Sequence, residues 1–380
     1  MRVALVTDSL FAGDSAGRGA TTTIKAVADR LLETGHDVCF IAPGPGLTSY
    51  KRSRIVRVSP LAKPGGQVRA ALEAFSPDVV QVVNPGRLGR KALKHGRALG
   101  VRTVVLQQSP VTEATADYWR SRVADRADSL VVTAHWMVER LSHAGITAGY
   151  WAPGVDAAAF SPAMRDERLH DRWARVRHTP TPGGLVVVGY VGALTKSHGV
   201  RQLAALNLLR GIRPVIVGDG AQRSWLYDRL PSAAFSGALS NGLSTGLGTG
   251  ELGVAMASLD VLVHPGQHEA SGHVLREAAA SGLPIVAPRS GAALDVVRHL
   301  ETGMLYEPDD AWGLPEAVAA VVADPQRRML GAQGREQVRD RDWATAVDEL
   351  VERHYRRRPM TPVLSGLGGG SGTVGTLTSP

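Results

Sequence analysis

Short apolar runs rich in Val and Ile recur along this chain, separated by segments with helical spacing. The first half holds Met1–Thr7, Val38–Ala42, Val79–Val83, Thr103–Leu106 and Ser129–Val132. Runs of this length and β-branched composition, apolar at consecutive positions, suit strands buried on both faces of a parallel sheet. Between the first two, Ile24, Val27, Ala28 and Leu31 fall on one face of a predicted helix that Gly35 stops. The second half repeats the pattern in Leu185–Val191, Pro214–Val217, Ala234–Ser236, Val261–Val263 and Pro284–Ala287. The two halves are joined by a stretch dense in Arg, Asp and Glu from Arg165, then a Pro/Gly turn ending at Gly184, a composition typical of an interdomain connection.

These observations predict an α/β protein with two consecutive doubly wound, Rossmann-like units facing a central cleft. The expected division is 1–164 for the first unit, 165–184 for the connection and 185–342 for the second. Residues 343–358 form a helix with Val347, Leu350, Val351 and Tyr355 on one face, expected to cross back to the first unit. Residues 359–380, rich in Pro, Gly, Ser and Thr, form a tail expected to be disordered. A length of 380 residues agrees with two domains.

Composition narrows the function. The formal charge is +8, but the basic residues are dispersed and not interleaved with aromatics, which argues against a nucleic-acid partner. An anionic substrate or an anionic membrane surface fits this excess, and so does plain solubility. Neither a signal peptide nor a run long enough to span a membrane is read in the sequence. The expected location is the cytoplasm, with the inner face of the plasma membrane as an open second location. Cys39, the single cysteine, lies in an apolar run and reads as a buried strand residue rather than a nucleophile. No Walker loop, dinucleotide fingerprint or metal-ligand spacing is present, so neither a cofactor nor a metal is expected.

The stretch that carries chemistry is His264–Pro–Gly–Gln–His–Glu269–Ala–Ser–Gly–His273–Val–Leu–Arg–Glu277. It reads as a strand end, a polar loop and a helix start. Ser271 and Gly272 fall where the helix would begin, so unpaired backbone N–H groups there would form an anion site. Glu269 and Glu277, eight residues apart, would lie about two turns apart on one face. Carboxylates so placed would grip two sets of sugar hydroxyls beside a diphosphate. An ordinary βα loop with two surface glutamates fits the same residues, and the segment alone leaves both readings open.

The arrangement resembles the Glu-x7-Glu motif of retaining glycosyltransferases of the GT-B fold, family four. The likeness extends over about residues 1 to 357, through Gly35–Val38, Ser76–Val80, Ala124–Asp128, Gly154–Asp156 with Phe160, Val217–Gly220 and Gly282–Ala287. Within that family the chain is most similar to actinobacterial GDP-mannose-dependent α-mannosyltransferases acting on phosphatidylinositol or glycolipid acceptors. The resemblance implies transfer of a hexose, mannose or a related sugar, from a nucleoside diphosphate sugar (GDP-mannose or a UDP-sugar) to an acceptor hydroxyl. The leaving diphosphate would be stabilised by protein groups without a metal. It implies that Glu277 holds the ribose hydroxyls, that Glu269 meets the transferred sugar, and that the backbone of Ala270, Ser271, Gly272 and His273 binds sugar hydroxyls and the diphosphate. Gly19 would let the diphosphate approach from across the cleft. Gly192 opens the loop after the second unit's first strand, and Asp219 with Gly220 would stand on the base side or form a plain turn.

Two departures from the family pattern bear on catalysis. The Gly-Arg-x4-Lys stretch that usually faces the diphosphate reads here Gly192–Ala193–Leu194–Thr195–Lys196–Ser197–His198, so Ala193 replaces the Arg and His198 the Lys. This removes a fixed guanidinium fork; Lys196 and His198 are the candidate replacements. On the acceptor side, Gln108 and Ser109 stand where relatives carry a His or Asp. Arg18 is a candidate substitute cation, or a surface loop arginine. Three readings follow: an active transferase, acting on a lipid or on a small secondary-metabolite acceptor; a sugar-nucleotide-binding scaffold that has lost turnover; or a hydrolase or lyase on the same fold. Asn241–Gly250 reads as a flexible insertion near the base side.

Overall fold

The computed structural model describes residues 1–10, 18–59, 61–111, 115–175, 184–237 and 251–356. The turn at 176–183, the insertion Asn241–Gly250 and the tail 359–380 lie outside these residues, as does the side chain of Arg18.

Fourteen strands form two sheets among the described residues. The first contains β1 (Arg2–Thr7), β2 (Asp37–Pro43), β3 (Ser49–Tyr50), β4 (Ser53–Val58), β5 (Val79–Val83), β6 (Arg102–Gln107), β7 (Ser129–Val132) and β8 (Gly149–Tyr150), in the order β3-β4-β2-β1-β5-β6-β7-β8. The second contains β9 (Val186–Val191), β10 (Ile212–Val217), β11 (Ala234–Gly237), β12 (Val261–Val263), β13 (Ile285–Pro288) and β14 (Gly303–Tyr306), in the order β11-β10-β9-β12-β13-β14. Every pairing is parallel except the short β3–β4 hairpin.

Burial on both faces explains the apolar runs. In β1, Val3 and Leu5 join one core cluster and Ala4 and Val6 the other, so alternate side chains fill opposite faces of the same sheet. In β9, Val187 and Val191 face one layer, and Val188 and Tyr190 the other. Ile24, Val27, Ala28 and Leu31 of the helix Arg18–Glu33 are buried against the first sheet. The strands β3, β4, β8 and β14 were not legible as runs. β4 (Ser-Arg-Ile-Val-Arg-Val) lies next to the sheet margin and interrupts its apolar residues with arginines, while β14 is an edge strand without a β-branched residue.

The chain returns to the first sheet at its C-terminal end. The helix Trp343–Leu350 runs into a π-helical turn, Val351–Tyr355, and Ala346, Val347, Leu350 and Tyr355 bury themselves in the cluster built on β1 and the helix Arg18–Glu33. Trp151 donates its indole N–H to the Ala346 carbonyl at 2.7 Å, and Arg30 forms a two-pronged pair with Asp348. Cys39 is buried in β2, and burial pushes its thiol up to about 11, so it is not a ready nucleophile.

Candidate active site

In both sheets the strand order reverses beside the first strand: β1 lies between β2 and β5, and β9 between β10 and β12. Crevices at the carboxyl ends of strands beside such switch points are where open α/β sheets bind ligands. Here the two crevices share one cleft of about 320 Å³. The first unit contributes Gly19, Ala20 and Thr22 from the start of the helix Arg18–Glu33, Asn84 after β5, and Gln108 and Ser109 after β6. The second contributes Gly192, Ala193 and His198 after β9, Gly218 and Asp219 after β10, and residues between His264 and Glu277 after β12.

The wall after β12 departs from the sequence expectation in one respect. The helix begins at His273, with Gly272 as its left-handed N-cap (φ 63°), so Glu269 lies in the loop and not on a helical face two turns from Glu277. The Ser271 and Gly272 amides, expected to be unpaired, both donate to Glu269 Oε1 at 3.0 Å, and the Ser271 hydroxyl donates to the same oxygen at 2.7 Å. The loop's anion site is thus filled by its own glutamate. Burial pushes the Glu269 carboxyl up, but the His264 ring, the Ser271 hydroxyl and the two amides outweigh it, and the group is held down at about 2. Burial lowers the pKa of His264, while Glu269 beside it pulls the other way. The His264 ring and the hydrogen bonds from Ser271 and Gly272 together keep Glu269 ionised. Glu277 is half-buried, one turn into the helix, and lines the same cleft.

The first unit clamps this loop from the other side. Thr133 donates its hydroxyl to the Ala270 carbonyl at 2.6 Å, and the Trp136 indole donates to the Glu269 carbonyl at 2.9 Å. His273 Nε2 lies 3.1 Å from the Thr23 hydroxyl, which also accepts from Gln108 Nε2 at 2.8 Å. Burial lowers the His273 pKa to about 4, so the ring is neutral and hydrogen-bonded across the cleft. Gly19 sits against the same ring: a Cβ there would stand 3.1 Å from His273 Cδ2. Gln108, Gly19 and His273, far apart in the sequence, are brought together by the fold. Thr23, Thr133 and Trp136 carry no signal in the sequence, because the pairing of the two units supplies their contacts and no local spacing encodes them, whereas His264 stands against Glu269 within its own loop.

The loops after β9 and β10 pack backbone on backbone. Gly192 N donates to the Val217 carbonyl at 3.0 Å and Leu194 N to the Asp219 carbonyl at 2.9 Å. A Cβ on Gly218, at φ 154°, would fall 1.9 Å from the Gly192 carbonyl oxygen, so only glycine fits. Asp219 lines the cleft, whereas Gly220 does not. Ala193 is buried in the wall and brings no charge. His198 closes the short turn Lys196–His198, with Nδ1 2.6 Å from the Thr195 hydroxyl. Lys196 is exposed and does not line the cleft; Gly272 lies behind the wall rather than in it. No group of three His, Cys, Asp or Glu side chains among the described residues is arranged to hold a metal ion.

Two Rossmann-like units meeting at strand ends, with a cleft that joins them, are the GT-B architecture. Residues 17–159 match Glycosyltransferase Family 4, and residues 171–337 match Glycosyl transferases group 1. The chain is 35% identical to a GDP-mannose-dependent alpha-mannosyltransferase of Mycobacterium tuberculosis, over 93% of this chain and 96% of that one. It is 34% identical to the protein of the same description from Mycolicibacterium smegmatis, over 93% and 97%. Among solved structures, Anabaena HepE in complex with UDP superimposes with a TM-score of 0.74 at 15% identity, covering 93% of this chain and 99% of that one. The chain belongs to glycosyltransferase family four and is a glycosyltransferase.

Proposed function

We propose that the protein transfers mannose from GDP-mannose to an acceptor hydroxyl with retention of configuration. The observation that carries this is the joint presence of Glu269 and Glu277 in a cleft walled by both units, in a chain 35% identical to a mannosyltransferase. In this reading Glu277 holds the ribose hydroxyls and the ionised Glu269 faces the transferred sugar. Gly19 and the start of the helix Arg18–Glu33 approach the diphosphate from the opposite side. Asp219 stands toward the base. Protein groups, rather than a metal, offset the charge that develops on the leaving diphosphate. Gln108 and Ser109, on the first unit's wall, face the acceptor.

The acceptor is proposed to be a lipid at the inner face of a membrane. The helix Arg87–Ala98 carries Arg87, Arg90, Lys91, Lys94 and Arg97 and no acidic residue. Beside it the half-exposed Tyr118 lies under both Arg90 and Arg122, at 5.5 and 5.6 Å. An aromatic ring within a cationic face suits an anionic lipid surface. Among the described residues no helix is long and apolar enough to cross a membrane. The test is incubation with a panel of sugar nucleotides and both lipid and small soluble acceptors, with the product anomer read by NMR. Mannosyl transfer from GDP-mannose with an α-linked product supports the reading; an inverted product, or transfer only from another sugar nucleotide, refutes it. The neutral Ala193 favours a second reading, a donor-binding scaffold, and donor binding without transfer or hydrolysis across the panel would select it.

A further inference from the structure

Histidines are the potential cations of the cleft's described lining, beside the carboxylates of Asp219, Glu269 and Glu277. That lining includes His198, His264, His268 and His273, and no lysine or arginine. Lys196 points away, and Arg276, though on the same helix as Glu277, is buried against Tyr150 outside the lining. A sugar nucleotide nevertheless brings a doubly charged diphosphate to this site. Two rings are not committed to the protein. His198 is oriented through Nδ1 by Thr195, while its Nε2 makes no hydrogen bond among the described residues. His264 is 3% exposed, yet neither ring nitrogen has a hydrogen-bond partner, and Nε2 stands 3.7 Å from Glu269 Oε2. The two rings are held together by their loops, because Gly199 passes so close to Pro265 that a Cβ there would stand 2.4 Å from its carbonyl oxygen.

We propose that His198, backed by His264, is a titratable cation for the donor diphosphate, so that donor binding takes up a proton from solvent onto the His198 ring. This rests on the donor-site reading above. An imidazole is the side chain whose charge responds to a nearby anion within the physiological range, and an approaching diphosphate favours its charged form. The titratable groups that share the cleft's described lining with His198 come from several elements. From the β12 loop and the helix after it come the carboxylates of Glu269 and Glu277 and the imidazoles of His264 and His273, with His268 at the loop's exposed side. Asp219, after β10, is a carboxylate, and Lys196 on the same turn is turned to solvent. Among the described residues the first unit lines the cleft with no charged side chain. Where the family pattern has a fixed fork of positive charge, this chain has one that titrates.

The experiment is calorimetric titration of the full chain with GDP-mannose at pH 6 and pH 8, in buffers of different ionisation enthalpy. The diphosphate of a sugar nucleotide is a diester with no proton to lose in this range, so any proton linkage belongs to the protein. The expected result is affinity weaker by about tenfold or more at pH 8, with uptake of up to about one proton near neutrality. His198→Gln should abolish the uptake, and His198→Lys should bind with affinity that no longer depends on pH. Arg18→Gln should lower affinity by the same factor at both pH values if it lowers it at all, because a guanidinium does not titrate here. Equal wild-type affinity at pH 6 and pH 8, or undiminished proton uptake in His198→Gln, overturns the proposal while leaving the donor site standing. The absence of binding at any pH, for GDP-mannose and for other sugar nucleotides alike, overturns the donor reading and the proposal with it.

Discussion

His273 offers the sharpest test of how the two units are joined. Its ring is 7% exposed, bonded to Thr23 from the opposite unit, and burial holds its pKa at about 4 against an ordinary 6.5. Between those values the unfolded chain carries a proton on this residue and the folded chain does not. Stability therefore rises with pH across the window, and acidification from neutrality toward pH 4 removes it. A difference of two to three pKa units corresponds to about 3 kcal/mol over the whole window, and to about 2 kcal/mol between pH 7 and pH 5. Glu269, held at about 2, stays ionised on both sides of that interval and adds little to it. His264 acts in the same direction as His273, because burial lowers its pKa too, so the total loss exceeds the share of either ring. Urea unfolding followed by tryptophan fluorescence suits the measurement, since Trp343 lies 5.7 Å from the His273 ring. His273→Gln keeps a hydrogen-bonding side chain toward Thr23 and removes the titration. The variant should lose about 2 kcal/mol less than wild type between pH 7 and pH 5. An equal loss in the two proteins would show that the imidazole is not held neutral in the fold, and the buried Thr23–Gln108–His273 link would be refuted.

Further substitutions probe the walls of the cleft. Gly218→Ala sets a Cβ against the Gly192 carbonyl at a backbone angle that L-residues rarely adopt, so the melting temperature should fall by an amount equivalent to about 2–4 kcal/mol. Glu277→Ala should shrink the rise in melting temperature that saturating GDP gives, measured against the same variant without ligand. Glu269→Gln removes the charged acceptor of two amides and a hydroxyl, which should cost about 1–3 kcal/mol in stability and reduce turnover far more than it reduces GDP affinity. Turnover should survive EDTA, and loss of activity that added divalent cation restores would contradict stabilisation of the diphosphate by protein groups.

The fold was legible wherever burial on two faces imposes continuous apolar runs, as at Val79–Val83 and Val186–Val191, because that pattern survives in sequence without any knowledge of the partner layers. It was not legible at β4 and β14, where strand margins relax the pattern and arginines or unbranched residues intrude. At the site, the segment from His264 to Glu277 could be located from its glutamates and glycine. The internal use of its amides by Glu269 could not, since that depends on the loop turning back on itself instead of continuing the helix toward its N-terminal side. His264 was in plain view within that segment. The lack of a hydrogen-bond partner at either of its ring nitrogens is a property of the packed loop alone, and only the structure could single it out. The clamp from Thr133 and Trp136 joins residues more than a hundred positions apart and leaves no local trace.

The central claim, that this cleft binds a sugar nucleotide through Glu277 and uses Glu269 in the transfer, is tested most directly by titrating GDP-mannose into wild type, Glu277→Ala and Glu269→Gln at one pH and assaying transfer by each. The account predicts one site per chain in wild type, a marked loss of affinity in Glu277→Ala, and binding largely kept but transfer lost in Glu269→Gln. Unchanged affinity in Glu277→Ala together with full turnover in Glu269→Gln would contradict it.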